Sequence, residues 1–504
     1  MKSILFTALI LISSLSHSKA YLEASRTECF SPCPVVFSGV KTEGPEHIKF
    51  KEYGYFFDFG DDSLAVHSVT GLPSNEQAGG PVASHTFICE EGICKFNVLL
   101  KVFFQDDTES ADTLEVTVYS PQAYFSASDT ICVSTSGNFE GCPNGASEST
   151  TMPPLNGYNR KRVLLKRGDK FPKSCIQYGQ HNVLIEPFGD PSLPRPEFLE
   201  AVSIGVSSHC GKKDPNSDAE IARYGNPWIS NITVTGIRTP FINYGMSFAH
   251  LSAHDIDMDY YNQDFGGQFT ITSIGNWCEK TEKISCSKVP YPLGAYLSNV
   301  KIIGSENSYP GLNINGLNCP LTSWVGIQNV KAFNSWSHNF RMEGFRFMSI
   351  SHSDFRGHHH NKGNKVAITA RTCGYSMDDP LELEYRKDKE DNDPASRYIV
   401  VADTHMGSSD STHSTWRLHL GPTNSEVAET VIDGIVERVT FTKPAASDAP
   451  HMGLNGLWLT ARDNKYDEGV QQCIVMNPGA NPVHGEIDCN GNIPVIEARN
   501  GCER

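Results

Sequence analysis

The chain has 504 residues, with 42 Lys and Arg against 58 Asp and Glu, a formal net charge of −16. That is too long for one ordinary compact core, so several domains or an elongated repeat are expected. The acidic balance excludes general nucleic-acid binding, which calls for a basic surface.

Residues 1–20, MKSILFTALILISSLSHSKA, have the form of a secretory signal: Lys2, an apolar run from Ile4 to Leu15, then Ser18-Lys19-Ala20. The run is too short to span a bilayer and no later stretch is longer, so no transmembrane segment is predicted and the protein is expected to be exported, extracellular or periplasmic. An exported chain with 15 cysteines predicts disulfides. The close pairs Cys29/Cys33, Cys89/Cys94, Cys132/Cys142 and Cys278/Cys286 are the candidate staples.

Residues 34–120 alternate apolar and polar positions between turn signals. YFFDFGDDS (55–63), SHTFICEEGICKFNVLLKVFFQDD (84–107) and TLEVTVYSP (113–121) predict a small β-sandwich of six or seven strands. Phe57-Asp58-Phe59-Gly60-Asp61, His85-Thr86-Phe87 and Gln105-Asp106-Asp107 resemble the PKD domain. Phe stands at 57 where that family has Trp, and Asp at 62 where it has Gly. The resemblance implies an immunoglobulin-like accessory module that contacts glycan or protein and carries no catalysis.

Residues 121–227 are expected to form a Cys-containing linker or cap region. From 228 to 475 short β-rich segments recur, including ISNITVTGI (229–237), LSNVKIIGSEN (297–307) and GIQNVKAFNS (326–335). Ser230-Asn231, Ser298-Asn299 and Gln328-Asn329 each precede an apolar alternation. Helical periodicity is nearly absent, the main candidate being the charged stretch Glu382–Glu390. A second layer of repetition is visible in two alternating sets. ISHSDF (350–355), VADTHM (401–406), VERVTF (436–441) and ARDNKY (461–466) each end in an aromatic residue or Met after a polar turn. HNFRMEG (338–344), KVAITAR (365–371) and WRLHLGP (416–422) interleave with them. Two sets in alternation predict two faces of successive coils. Residues 476–504 are left as a C-terminal cap or tail.

The expected fold class is therefore all-β: a sandwich followed by a solenoid. The strand rhythm, Asn-bearing turns and the ending Ala461–Tyr466 resemble the right-handed parallel β-helix of the pectin-lyase-like superfamily. That resemblance implies lyases, hydrolases or non-catalytic adhesins.

Alternation along each coil sends Phe340, Met342, Val366, Ile368, Ala370, Trp416, Leu418 and Leu420 inward, leaving Asn339, Arg341, Glu343, Lys365, Arg371, Arg417 and His419 outside. Placing Met342, Ile368 and Leu418 in one interior column stacks Arg341 beside Arg417, Glu343 beside His419, and sets Lys365 diagonal to Arg341. Arg371 falls at a corner. His352 and the loop residues His358, His360 and Lys362 are expected to overhang this basic patch, as binding groups for an anionic substrate.

Two functions fit. A polysaccharide lyase acting on a uronic-acid glycan needs a base and a cation for the enolate-like dianion. Lys365 would be the base, Arg341 and Arg417 the neutralisers, and His419 or His338 the proton donor. The alternative is a non-catalytic glycan-binding or adhesin-like protein whose sandwich extends its reach. A glycoside hydrolase is a further alternative, set back because the Asn-Thr-Asp and Asp-Asp pairs of polygalacturonase-like β-helices are not found. No cofactor is required. Asp255, Asp257 and Asp259, alternating in HDIDMD, would suit Ca²⁺. The expected partner is an acidic polysaccharide.

Overall fold

In a computed structural model the described residues are 18–44, 50, 53–153, 160–176, 181–205, 229–245, 248–258, 268–272, 294–303, 312–315, 322–335, 339–343, 345–358, 366–371, 397–407, 416–420, 431–442, 452–454, 456–466 and 473–475. The chain is a β-sandwich followed by a parallel β-helix. The signal-like segment through residue 17, Cys278/Cys286 and Glu382–Glu390 lie outside the described residues.

The sandwich has sheets of three and five strands. The three-stranded sheet pairs Glu23–Ala24, Cys33–Ser38 and Val82–Phe87 antiparallel. The five-stranded sheet is built on the long hairpin Ile93–Phe103 with Glu109–Tyr119, flanked by Glu28–Phe30 on one side and by Gly54–Asp58 and Glu76–Gly79 on the other. Phe37, Tyr55, Phe57, Phe59, Phe87, Leu100 and Val116 fill the space between them. The disulfides Cys29–Cys33 and Cys89–Cys94 form as expected, as does Cys132–Cys142 farther along.

The residues behind the PKD resemblance meet in space. His85 Nε2 lies 3.0 Å from the Asp61 carboxylate, and its ring stacks on Phe59 at 4.5 Å. Gly60 has φ 63°, and a Cβ there would lie 2.4 Å from the Asn97 carbonyl oxygen, so the turn admits no side chain.

Beyond residue 130 every named strand pair is parallel, so the coils already run through 130–205, within the stretch expected to be a linker or cap. Each rung crosses three sheets. The first sheet runs from Thr130–Val133 and Lys161–Lys166 through Phe345–Ser351 to Gly456–Arg462. The second holds Lys331–Ser335, Asp354–His358, His405–Gly407, Thr440–Phe441 and Lys465–Tyr466. The third is a ten-stranded sheet from Ser174–Ile176 to Cys473–Val475, including Phe340–Glu343, Val366–Arg371 and Trp416–Leu420.

The corner between first and second sheets explains the repeating endings. At each rung one residue takes a left-handed conformation: Asp255, Asn299, Asn329, His352, Asp403, Arg438 and Asp463, with φ between 48° and 55°. Asn and Asp tolerate that region best among residues with a side chain. Their side chains also join successive rungs, Asn299 donating to Asp255 at 2.8 Å and Asn329 to Asn299 at 3.2 Å. Three residues past the corner, Phe355, Met406, Phe441 and Tyr466 stand in register, the first three fully buried. Asn231 serves an earlier bend instead, with φ 52°, and donates to Asn182. The two alternating sequence sets are thus the first-to-second corner and the third sheet.

Candidate functional site

Three faces of the prism offer themselves, and the sandwich takes one. Its three-stranded sheet is apolar on both sides, Cys33–Ser38 being buried at all six positions. One side faces the sandwich core. The other lays Val36 and Val82 against Tyr296, Val400 and Ile435 of the first sheet, with Phe50 packed alongside. Beneath this seam Trp324, Phe347 and Tyr398 stack at 4.2 and 5.2 Å, and Phe50 caps Tyr398 at 6.0 Å. Polar clasps complete it. Gln328 Nε2 donates to the Ser84 carbonyl and Arg438 Nη2 to the Ala78 carbonyl, each at 2.8 Å, while the Ser68 hydroxyl donates to Asn329 at 2.9 Å. The sandwich therefore lies along the solenoid and does not extend its reach, correcting that part of the adhesin reading. An apolar sheet face is stable only when covered, which is why the module sits where it does.

His352 belongs to this seam and not to a substrate face. It is 2% exposed, stacks on His67 with ring centroids 3.8 Å apart, and shares a hydrogen bond with Thr70 through Nδ1 at 3.0 Å. Burial, with the Arg438 cation nearby, lowers its pKa to about 4. Burial lowers that of His67 to about 3, aided by His352 and His85 and opposed by Asp403. Position in the sequence patch gave no hint of this, because the partner is 285 positions away in the chain.

On the second sheet one row reads Asp257, Lys301, Lys331, Asp354, His405, Thr440, Lys465. Its carboxylates are taken up: Asp354 forms a two-point pair with Arg356, and Arg195 Nη1 lies 3.4 Å from Asp257. The same guanidinium donates to Asp255 at 2.7 Å. The expected three-carboxylate cation face is thereby corrected. Asp255 occupies the corner and not an extended strand position, both described carboxylates are engaged by Arg195, and Asp259 lies outside the described residues. Among the described residues no group of three or more His, Cys, Asp or Glu is placed to hold a metal ion. His358 closes the strand Asp354–His358 in register with Ser335, so it belongs to the second sheet.

The third sheet carries the basic candidates. Its interior parity is as expected: Phe340, Met342, Ile368, Leu418 and Leu420 are fully buried and Arg341 is half-buried. Asn339 departs from expectation, being 0% exposed. The register differs from the expected one by two residues. Phe340 aligns with Ile368 and Leu418, so one row reads Asn313, Arg341, Thr369, His419, Gly453, and Glu343 aligns with Arg371. Arg341 and Arg417 do not share a row. A two-residue slip keeps every apolar residue inside, so in–out parity alone has no power to detect it. At about 4.8 Å per rung, Arg341 and His419 stand roughly 10 Å apart along the axis. Lys365, His338, His360 and Lys362 lie outside the described residues.

No family model and no curated protein sequence matches the chain. Three solved chains match by structure. One, a family 28 exopolygalacturonase of Yersinia enterocolitica, is 11% identical and overlays 88% of this chain and 97% of its own at a TM-score of 0.31. That likeness is too loose to bear on activity, and the β-helix rests on the strand pairing above.

Proposed function

We propose that this is an exported carbohydrate-active β-helix protein that engages an acidic, uronic-acid glycan on its third sheet and cleaves it by β-elimination. The observation that supports the reading is the register of Arg341, Thr369 and His419 in one row, with Arg371 in the adjoining row. In this arrangement Arg341 neutralises the substrate carboxylate, acidifying the proton on the adjacent carbon. Lys365, just before the strand Val366–Arg371, takes that proton. The electron pair forms the new carbon–carbon double bond as the bond to the 4-linked oxygen breaks, and His419 returns a proton to that oxygen. Arg417, two residues before His419, and Arg371 hold neighbouring sugar carboxylates. The PKD-like sandwich is an accessory module fixed to the solenoid.

A second reading, binding without cleavage, draws on the displaced register, which takes Arg417 out of the Arg341 row. Incubation with polygalacturonate and with alginate separates the readings. Ultraviolet-absorbing unsaturated ends that disappear in His419→Ala support the lyase. Saturated reducing ends alone indicate hydrolysis. Retention of either polymer with no new ends indicates a binding protein, and no retention and no cleavage overturns the proposal.

A further inference from the structure

The seam between sandwich and solenoid is closed at one end by two buried histidines and bordered at the other by a half-buried one. At one end His67, from the sandwich loop, and His352, from the solenoid corner, stack with an interplanar angle of 12° while 4% and 2% exposed. Among the described residues no donor or acceptor meets Nε2 of either ring. The groups around the pair are the Thr70 hydroxyl, the His85 ring held by Asp61, Asp403, and the guanidinium of Arg438. Arg438 is itself bound through two atoms to Asp403, at 2.8 Å each, and lies 3.4 Å from Glu437, which Arg462 also engages at 3.0 Å, so each of these carboxylates already faces a guanidinium. At the other end His250 Nδ1 lies 2.9 Å from the Tyr296 hydroxyl, and the Arg26 guanidinium sits 5.0 Å from the centroid of the Tyr296 ring. Arg26 is directed to the Pro34 carbonyl, an uncharged acceptor.

We infer that the seam is an acid-sensitive clasp: protonation of His67 and His352, with His250 at the far end, releases the sandwich from the first sheet while both cores stay folded. Two stacked imidazolium rings repel each other, and Arg438 beside His352 and Arg26 beside His250 add to the repulsion. Opening gives the rings water and removes that repulsion. The surface uncovered is the strip Tyr296, Trp324, Phe347 and Tyr398, flat aromatic faces of the kind on which sugar rings and apolar groups settle. The clasp is independent of chemistry on the third sheet.

The direction of the shifts agrees. Burial holds His67, His250 and His352 at about 3, about 3 and about 4, below the ordinary histidine value, so the closed seam binds fewer protons than the open one and closure weakens as pH falls.

Amide hydrogen exchange of the full chain, from about pH 7 to about pH 4, tests this across the interval in which a histidine titrates. The rates are first corrected for intrinsic pH dependence. The expected result is a reversible loss of protection, on the order of tenfold or more, in Cys33–Ser38, Val82–Phe87 and Phe345–Ser351, with the hairpin Ile93–Phe103/Glu109–Tyr119 and the third sheet unchanged. In His67→Phe/His352→Asn, which keeps an aromatic face and places at 352 the residue already used at 329, the loss is expected at lower pH. Seam protection constant over the whole range overturns the proposal, as does simultaneous loss in all strands. An opening unchanged in the double variant also overturns it. If that variant fails to fold, nuclear magnetic resonance titration of the wild-type histidines decides. Rings that protonate at ordinary histidine pH with the seam still protected refute the clasp.

Discussion

Gly326→Val tests whether the sandwich is seated on the first sheet, because the sign of the effect depends on it. Gly326 lies in Thr322–Gln328, an interior strand. A Cβ there would meet Ser84 Cβ and Val36 Cγ2 of the sandwich at 3.1 Å each, and Tyr296 Cδ1 at 3.4 Å. On an uncovered sheet, replacing glycine by a β-branched residue is favourable by up to about 1 kcal/mol. Under a seated sandwich the first added carbon already presses two neighbours, and the two γ-methyls have nowhere to go, an overpacking cost of about 1–3 kcal/mol. The wedge should exceed the propensity gain, for a net loss of about 1–2 kcal/mol. Thermal unfolding followed by Trp fluorescence reads the result as a lower midpoint, with Gly326→Ala falling between. A midpoint raised by Gly326→Val would mean that the seam is not packed as described.

Four further outcomes follow from the solenoid and its corner. Ile350→Ala removes three carbons from a fully buried position and should cost about 2–5 kcal/mol in urea unfolding, without altering the slope. Asn299→Ala puts a Cβ-bearing residue without a polar group at φ 55° and loses bonds to both neighbouring rungs, for about 1–2 kcal/mol, whereas Asn299→Gly should lose less because the backbone strain is absent. Arg195→Ala separates two half-exposed ion pairs and should change stability by no more than about 1 kcal/mol, an effect that shrinks further in high salt. His254 is half-buried beside Ser298, 2.7 Å from its hydroxyl, and the loss of solvent around it depresses its pKa. Its contribution is complete above the unfolded histidine value and is lost as pH falls toward the folded one, so His254→Gln should flatten the acid side of the stability–pH curve.

The sequence made the prism readable wherever one side chain decides one position. Asn299 and Asn329 marked turns, and the left-handed backbone they adopt there is one that Asn tolerates with little strain. Phe355, Met406, Phe441 and Tyr466 marked the ends of successive segments because each follows a polar turn. Alternation placed Met342 and Leu418 inside. It did not fix which rungs' residues lie opposite one another, since sliding Phe340–Glu343 by two positions leaves the same residues buried, and the anticipated pairing of Arg341 with Arg417 failed on that point. The seam was invisible for a different reason. Nothing local to His352 distinguishes a ring facing solvent from one facing His67, and Trp324, Phe347 and Tyr398 read equally well as core. Asp255 and Asp257 were misassigned because Arg195, which neutralises both, comes from a loop 60 positions earlier.

Covering the first sheet narrows where an anionic ligand is to be sought. The second-sheet row sets Lys301 and Lys331 between Asp257 and Asp354, so these four charges sum to zero, with Lys465 adding one cation farther along. The third-sheet rows place Arg341 and His419 with Asn313 and Thr369, and Arg371 with Glu343, leaving positive charge in excess among these positions. If charge recognition resides there, Arg341→Glu should abolish retention of polygalacturonate at low ionic strength and Lys331→Glu should leave it nearly intact. A charge-assisted contact of about 1.5–3 kcal/mol corresponds to a loss of roughly tenfold or more in affinity for Arg341→Ala, diminishing as salt is raised. Equal losses in Arg341→Glu and Lys331→Glu would show that the polymer responds to overall charge and not to one face. Loss in Lys331→Glu alone would move the site to the second sheet and take the proposed roles of Arg341 and His419 with it.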